Sequence, residues 1–462
     1  MAENSAIPVE LGTEKIGKLL KQYALPAIIA QTASSLYNMV DSIFIGQGVG
    51  PLAISGLAVT FPLMNLSAAF GTLVGVGAAT MISVLLGQKN YKGANKVLGN
   101  VVSLNVILGL LFMAVTLTFI DPILHFFGAS ENTLPYAKEY IRIILVGNVI
   151  THVYLGLNAA MRSSGHPKKA MALTIFTVVF NTILDPIFIF VLDLGIAGAA
   201  WATVIAQAAA MIFVLRHFSD KSRAFHFEKG LFKVDLRVAK DSLTIGMGPF
   251  LMNTAACLVT LFINQQMRDY SGDLGIGSYG ICNRFIFMFI MICMGLNQGM
   301  QPIAGYNFGA KQYSRVKEVF WQTAKLGTIV TTICFAIGMF IPRLAAGIFT
   351  HDEALLNMSA EGMKILTLGF PIVGFQMIGT NFFQSLGMVK KSIILSLSRQ
   401  LLFLLPLLYT LPLWYGANGV WMSFPISDVL SALLTAILLR RLFKKFNQLK
   451  DGEESAILGS HL

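Results

Sequence analysis

Apolar residues run in windows of about 20, the length that crosses a bilayer core of about 30 Å, and these windows recur from Leu19 almost to the C-terminus. Twelve can be counted, over approximately 20–45, 52–80, 97–120, 134–161, 170–192, 196–216, 241–267, 275–305, 317–342, 358–387, 391–412 and 416–440. The pattern predicts an all-α integral membrane protein with twelve transmembrane helices.

Composition agrees with lipid as the solvent. Of the 462 residues, 55% are hydrophobic and 12% charged, against about a quarter charged in soluble domains. The net charge of +11 raises nucleic acid as a partner, and the placement of the basic residues removes it. They fill alternate connections: Lys15/Lys18/Lys21, Lys89/Lys92/Lys96, Arg162/Lys168/Lys169, Arg216 to Lys240, Lys311/Arg315/Lys317, Lys390/Lys391 and Arg440 to Lys450; Arg268 and Arg343 are the exceptions. By the positive-inside rule both termini are cytoplasmic, which requires an even number of spans. The N-terminus lacks the short apolar region and small-residue cleavage site of a signal peptide, so the first span is expected to be retained. Cys257, Cys282, Cys293 and Cys334 fall inside spans with no CxxC pair, so neither a disulfide framework nor a metal site is expected.

The chain repeats itself. "GQKNYKGANKVL" from Gly87 answers "GAKQYSRVKEVF" from Gly309, 222 residues on; "SGHPKKA" from Ser164 answers "LGMVKKS" from Leu386 at the same offset. "GIAGAAW" from Gly195 answers "GANGVWM" from Gly416 at 221, and Pro26 answers Pro249 at 223. Two homologous six-span halves follow. Six being even, both enter the membrane in the same sense, so two six-helix bundles related by a pseudo-two-fold axis along the membrane normal are expected, as in parallel-repeat transporters. The predicted organisation is an N-terminal lobe over 1–216, a cytoplasmic linker over 217–240, a C-terminal lobe over 241–445 and a polar tail over 446–462, to which no function is assigned.

Ionisable residues at bilayer depth cost at least about 2.5 kcal/mol and mark functional sites. Asp41 and Asp185 lie in spans one and five at comparable depth, roughly 7–11 Å below the outer boundary at 1.5 Å per residue. Asn181 shares a helix face with Asp185 at a spacing of four, as Asn38 nearly does with Asp41 at three. Pro186 frees a carbonyl near residue 182, and Pro26 can bend span one. Burial beside a second acid favours the protonated form of a carboxyl, so Asp41 and Asp185 read as a protonation or cation site.

The second half carries Arg284, Arg399 and Asp428 near mid-depth. Matched depth pairs Arg399 with Asp428, and a structural ion pair is the favoured reading. Gln298, Gln301, Asn264, Asn253 and Asn381 are candidates for cleft-lining or interhelical dipoles. Met288 and Met291, among several methionines beside Phe285, Phe287 and Phe289, suit varied apolar or cationic ligands.

Four stretches together resemble the multidrug and toxic compound extrusion family over nearly the whole chain: "ALPAIIAQTASSLYNMVDSIFIG", "GVGAATMISVLLGQKN", "AMRSSGHPKKA" and "NTILDPIFIF". They look closest to the bacterial branch that includes a staphylococcal multidrug exporter. The resemblance implies a V-shaped pair of six-helix bundles, a monomer in the bacterial cytoplasmic membrane, that exports small organic and often cationic compounds in exchange for protons or sodium ions, without a bound cofactor. It places an N-lobe cation site on Asp41, Asn181 and Asp185, with Asn158 and Tyr37 as additions. Another branch has a glutamate in span seven; residues 241–267 contain none, which favours protons over sodium. A lipid-linked sugar flippase would share the topology but calls for a strongly cationic cleft. A membrane enzyme would call for a motif such as HExxH, GxSxG or GxxxxGK[ST], which the chain lacks.

Overall fold

The computed structural model describes residues 9–223, 225–227, 230 and 233–453, apart from the side chains of Asn38, Met39, Pro51 and Asp273. All regular structure among these residues is helical. The long helices of the first half are α1 Ile16–Gly48, α2 Pro51–Gly87, α3 Tyr91–Thr118, α4 Leu134–Ser163, α5 Pro167–Pro186 and α6 Gly195–Ser219. Those of the second are α7 Leu236–Gly272, α8 Leu274–Gly309, α9 Tyr313–Phe340, α10 Glu353–Thr367, α11 Phe370–Ser385, α12 Val389–Tyr415 and α13 Ala417–Phe446. Ten of them are long and apolar enough to cross a membrane, and α10 and α11, bent by 56° at Leu368–Gly369, pass the same test when taken together as one. The twelfth predicted span, α1, has 33 residues but a lower hydropathy, because Gln22, Gln31, Thr32, Ser34, Ser35, Asp41 and Ser42 interrupt its apolar run. Helices α6 and α7 extend into both ends of the expected linker, leaving 220–235 as the connection.

The duplication is written in the backbone. Left-handed residues recur at the repeat offset: Gly50 and Gly272 (φ 118° and 63°), Lys89 and Lys311 (60° and 58°), Gly165 and Gly387 (96° and 70°), Gly195 and Gly416 (54° and 57°), and Gly230 and Gly452 (90° and 94°). A non-glycine residue with positive φ is uncommon, so the lysine pair is the more telling. Each ends a helix in the same way: Lys89 N–H donates to Leu86 O and Asn90 N–H to Leu85 O, as Lys311 does to Phe308 O and Gln312 to Asn307 O.

By internal contacts the chain forms two compact units. Of the described residues, the first comprises 9–13 and 29–250, and the second 14–28 and 251–453. Thus α1 gives its first turns to the second unit, changing allegiance two residues after Pro26, and α7 gives residues up to Phe250 to the first. Glycines admit both insertions. Within the first unit a Cβ on Gly77 would lie 1.9 Å from Ser242 O, and one on Gly246 1.8 Å from Leu73 O. Within the second, a Cβ on Gly299 would lie 2.4 Å from Ala24 Cα. Positions 77 and 299, like 24 and 246, are 222 apart, so one contact is used twice.

The polar connection is tied down as well. Asp235 caps α7, its carboxylate accepting from Arg237 N–H at 2.9 Å and Val238 N–H at 3.2 Å, pairs with Lys96, and sends its own N–H to Asn100 Oδ1 at 3.0 Å. At the equivalent place in the second half, Gly452 N–H donates to Lys311 O at 2.9 Å and Tyr313 O–H to Glu453 O at 3.0 Å, so the start of the polar tail is docked. The Lys96 hydrogen bond, with those of the capping amides, holds the Asp235 carboxyl below the usual carboxylate range. A depressed folded-state pKa stabilises above the unfolded value and is lost as pH falls through the folded one. Asp235→Asn is therefore expected to speed protease nicking of 220–235 at pH 7, and the wild type to gain the same sensitivity only in acid.

Candidate functional site

Asp41 lies seven residues before the end of α1 and Asp185 six before Val191, where a π-helical turn, Ile187–Val191, ends span five. At 1.5 Å per residue both residues are about 9–11 Å from the corresponding ends of their spans. The π turn follows Pro186, whose missing N–H releases the preceding backbone from the α register. It fits because its neighbours are glycines: a Cβ on Gly48 would lie 2.4 Å from Ile189 Cγ2, and one on Gly198 2.8 Å from the Phe188 carbonyl carbon.

The two acids share one environment inside the first unit. Asp185 is fully buried, Asp41 is 5% exposed, and the two lie within electrostatic reach of each other. Neither oxygen of Asp185 has a hydrogen-bond partner, nor do Asp41 Oδ1 and Asn181 Oδ1. A buried acceptor without a donor costs about 1–3 kcal/mol, and more when charged, so these four atoms make a cluster of unsatisfied acceptors on α1 and α5. One turn toward the middle of the spans the chemistry is polar and satisfied: Tyr37 and Thr203 share a hydrogen bond at 2.8 Å, and Asn181 Nδ2 donates to Thr203 Oγ1 at 3.2 Å. One turn toward the nearer ends of the two spans it is apolar, with Ile45 and Ile189 buried against Leu57, Ala199 and Tyr140. The Tyr140 ring also lies within electrostatic reach of Asp41, Tyr37 and Asp185.

Not every predicted member joins this group. Asn158 donates to Ala170 O at 3.1 Å, and Ala170 precedes Asp185 by fifteen residues, about 22 Å along α5. Because span four runs antiparallel to span five, a residue near the end of α4 meets the beginning of α5. The Asn38 side chain lies outside the described residues. In the second unit Arg399 Nε donates to Asp428 Oδ1 at 2.6 Å. Arg284 is exposed, with no ion pair or hydrogen bond among the described residues, and Met288 is exposed beside it. Gln301 is buried, while Gln298, Asn264 and Met291 are half-buried.

A sequence model of the MatE family matches residues 26–187 and 246–410, one stretch in each half. The chain belongs to the MatE family of multidrug efflux transporters. The multidrug export protein MepA of Staphylococcus aureus is 29% identical over 439 residues, 94% of this chain and 97% of its own. MepA of Staphylococcus haemolyticus is 28% identical over 424 residues, 92% and 93% of the two chains. An outward-facing multidrug resistance MATE transporter of solved structure superposes with a TM-score of 0.90 at 23% identity, covering 97% of this chain and all of that one.

Two residues of this MatE transporter's acid site were missing from the sequence reading. Thr203 is a hydroxyl amid the small residues of "GAAWATVIAQ" and Tyr140 a tyrosine within an apolar span; each joins the acids only through packing between distant helices. A second buried polar group sits deeper between α2, α3 and α4: the His152 ring donates from Nε2 to Ser67 O at 2.8 Å, and Ser67 Oγ donates to Asn148 Oδ1. Thr203 is the shared hydrogen-bond partner of the satisfied layer. Thr203→Val removes the shared partner of Tyr37 and Asn181, and should cost about 1 kcal/mol of stability per lost hydrogen bond; a several-fold loss of transport with normal expression is the expected reading in an efflux assay.

Proposed function

We propose that this MatE protein is a cation-coupled antiporter, more fitted to protons than to sodium, which exports small and often cationic organic compounds across a bacterial cell membrane by alternating access. It acts as a monomer with both termini in the cytoplasm. The observation that carries this reading is the pair Asp41 and Asp185: both oxygens of Asp185, the Oδ1 of Asp41 and the Oδ1 of Asn181 are buried without donors. A proton supplies what is missing: on one carboxyl it turns an acceptor into a donor and can be shared with the other. A sodium ion would need several oxygens arranged around it; Tyr37, Thr203 and the Asn181 amide nitrogen are already engaged with one another.

In this mechanism the loaded acid pair is neutral and compatible with the apolar layer of Ile45 and Ile189, whereas the emptied pair needs water. Proton occupancy therefore biases the first bundle between two packings, and the export step draws on that difference. The basic residues at alternate connections support the orientation, and MepA, named as a multidrug export protein, supports the breadth of substrate. Ethidium efflux from vesicles, with a pH gradient and a sodium gradient imposed separately, tests the reading. Efflux driven by the pH gradient alone is expected; efflux that follows only the sodium gradient would overturn the proton assignment.

A further inference from the structure

On the flank of the second unit, where α9, α11 and α13 meet, lies a groove of about 590 Å³. Its wall is aromatic. Trp321, Phe375 and Phe443 line it, the Trp321 and Phe443 rings 5.9 Å apart and each against the buried Phe320, at 5.1 and 5.2 Å. Its rim is basic and polar, with Arg440, Lys444, Asn447 and Gln448 from the end of α13. Among the described residues no acid lines it. Glu318, one turn before Trp321, turns toward α1: it accepts from Gln322 Nε2 at 2.9 Å, and Gln322 Oε1 would lie 3.4 Å from a Cβ on Gly17.

The depth of the groove is that of lipid headgroups. Trp321 is eight residues into α9 and Arg440 six from the end of α13, so both stand roughly 9–12 Å inside their helix ends. Lys317 joins those two ends, donating to Asn447 Oδ1 at 2.7 Å. Tryptophan and long basic side chains gather at this level of a bilayer. Deeper on the same helices Ile329, Leu433 and Ile437 are exposed, so the groove passes from the headgroup layer to acyl chains.

The first half fills the matching place with its own chain. There Gly99 stands at the station of Trp321, 222 residues earlier, and the connection crosses α3: His226 N–H donates to Asn95 Oδ1 at 3.3 Å and Asp235 N–H to Asn100 Oδ1 at 3.0 Å. In the second half Trp321 is 55% exposed. The described acids of the tail are spent elsewhere, Asp451 accepting from Ser314 N–H at 3.0 Å and Glu453 from Lys450 N–H at 2.9 Å.

We infer that this groove binds one anionic phospholipid from the leaflet on the side of the C-terminus. Arg440 and Lys444 take its phosphate, Asn447 and Gln448 offer amide donors to its headgroup, and an acyl chain lies on the Trp321 and Phe375 rings. A basic pocket between spanning helices is the form that recognition of anionic headgroups takes in membrane proteins.

Native mass spectrometry of the purified full-length protein, titrated with dioleoyl phosphatidylglycerol or dioleoyl phosphatidylcholine, tests this. The first phosphatidylglycerol should bind about tenfold tighter than the first phosphatidylcholine, and Arg440→Gln with Lys444→Gln should abolish the preference. Arg441→Gln with Lys445→Gln removes the same charge from neighbouring positions outside the groove lining and should leave the preference intact; all four residues are exposed, so the fold is not at stake. Trp321→Ala should weaken both lipids alike, since it removes wall and not charge. No preference in the wild type, equal loss in the two double variants, or a Trp321→Ala protein that binds both lipids as before would overturn the inference. Binding is read without substrate or gradient, so the outcome is independent of the antiport mechanism.

Discussion

Asp185→Asn is expected to yield a protein at least as stable as the wild type that exports ethidium under a pH gradient at less than a tenth of the wild-type rate. The two effects have opposite signs for one reason. Asp185 is fully buried with two unpartnered oxygens, and an amide of the same shape removes a chargeable acceptor while offering an N–H to the orphaned oxygen of Asp41. Relief of about 1–3 kcal/mol is the usual scale for a buried unsatisfied polar group. Losing the carboxyl also removes the group that a proton can occupy and leave. A higher melting midpoint with transport abolished is the signature of a site that trades stability for function; unchanged proton-driven transport would remove Asp185 from the mechanism.

The largest structural effect is expected at Gly246. A Cβ there would lie 1.8 Å from Leu73 O and 2.7 Å from the Leu73 carbonyl carbon, and backbone cannot rotate aside as a side chain can. Overpacking ordinarily costs about 1–3 kcal/mol; Gly246→Val should exceed that, because it forces the first turns of α7 off α2. The expected result is loss of monodisperse protein in detergent together with cleavage in the 220–235 connection. Gly280→Ala is the internal control: nothing lies within 4 Å of its Cβ, and an alanine in a helix gains up to about 1 kcal/mol over glycine.

Local signals in the sequence carried much of this. Hydropathy located the spans, and α1 shows its limit, since the polar residues that bring Asp41 and Tyr37 to the site also lower its hydropathy. Internal similarity located the duplication, which the paired left-handed residues trace through turn after turn. The depth of Asp41 and Asp185 followed from counting residues along two helices, as did the matched depth of Arg399 and Asp428. What counting could not reach was lateral. Tyr37 and Thr203 are 166 residues apart in the chain, and their bond depends on how α1 and α6 pack. Asn158 was drawn in by resemblance alone, and packing sets it beside Ala170. The Arg399–Asp428 bond joins residues 29 apart and likewise depends on how α12 packs on α13.

The exchange of first-helix segments has a consequence for synthesis. Ala24 packs on Gly299, about 275 residues later, and at roughly 5–20 residues per second that interval is roughly 14–55 s. The earliest stretch of the membrane domain to leave the ribosome therefore waits longest for its permanent neighbours, and the nascent chain must tolerate a half-buried helix arm in the bilayer until translation is nearly two-thirds done.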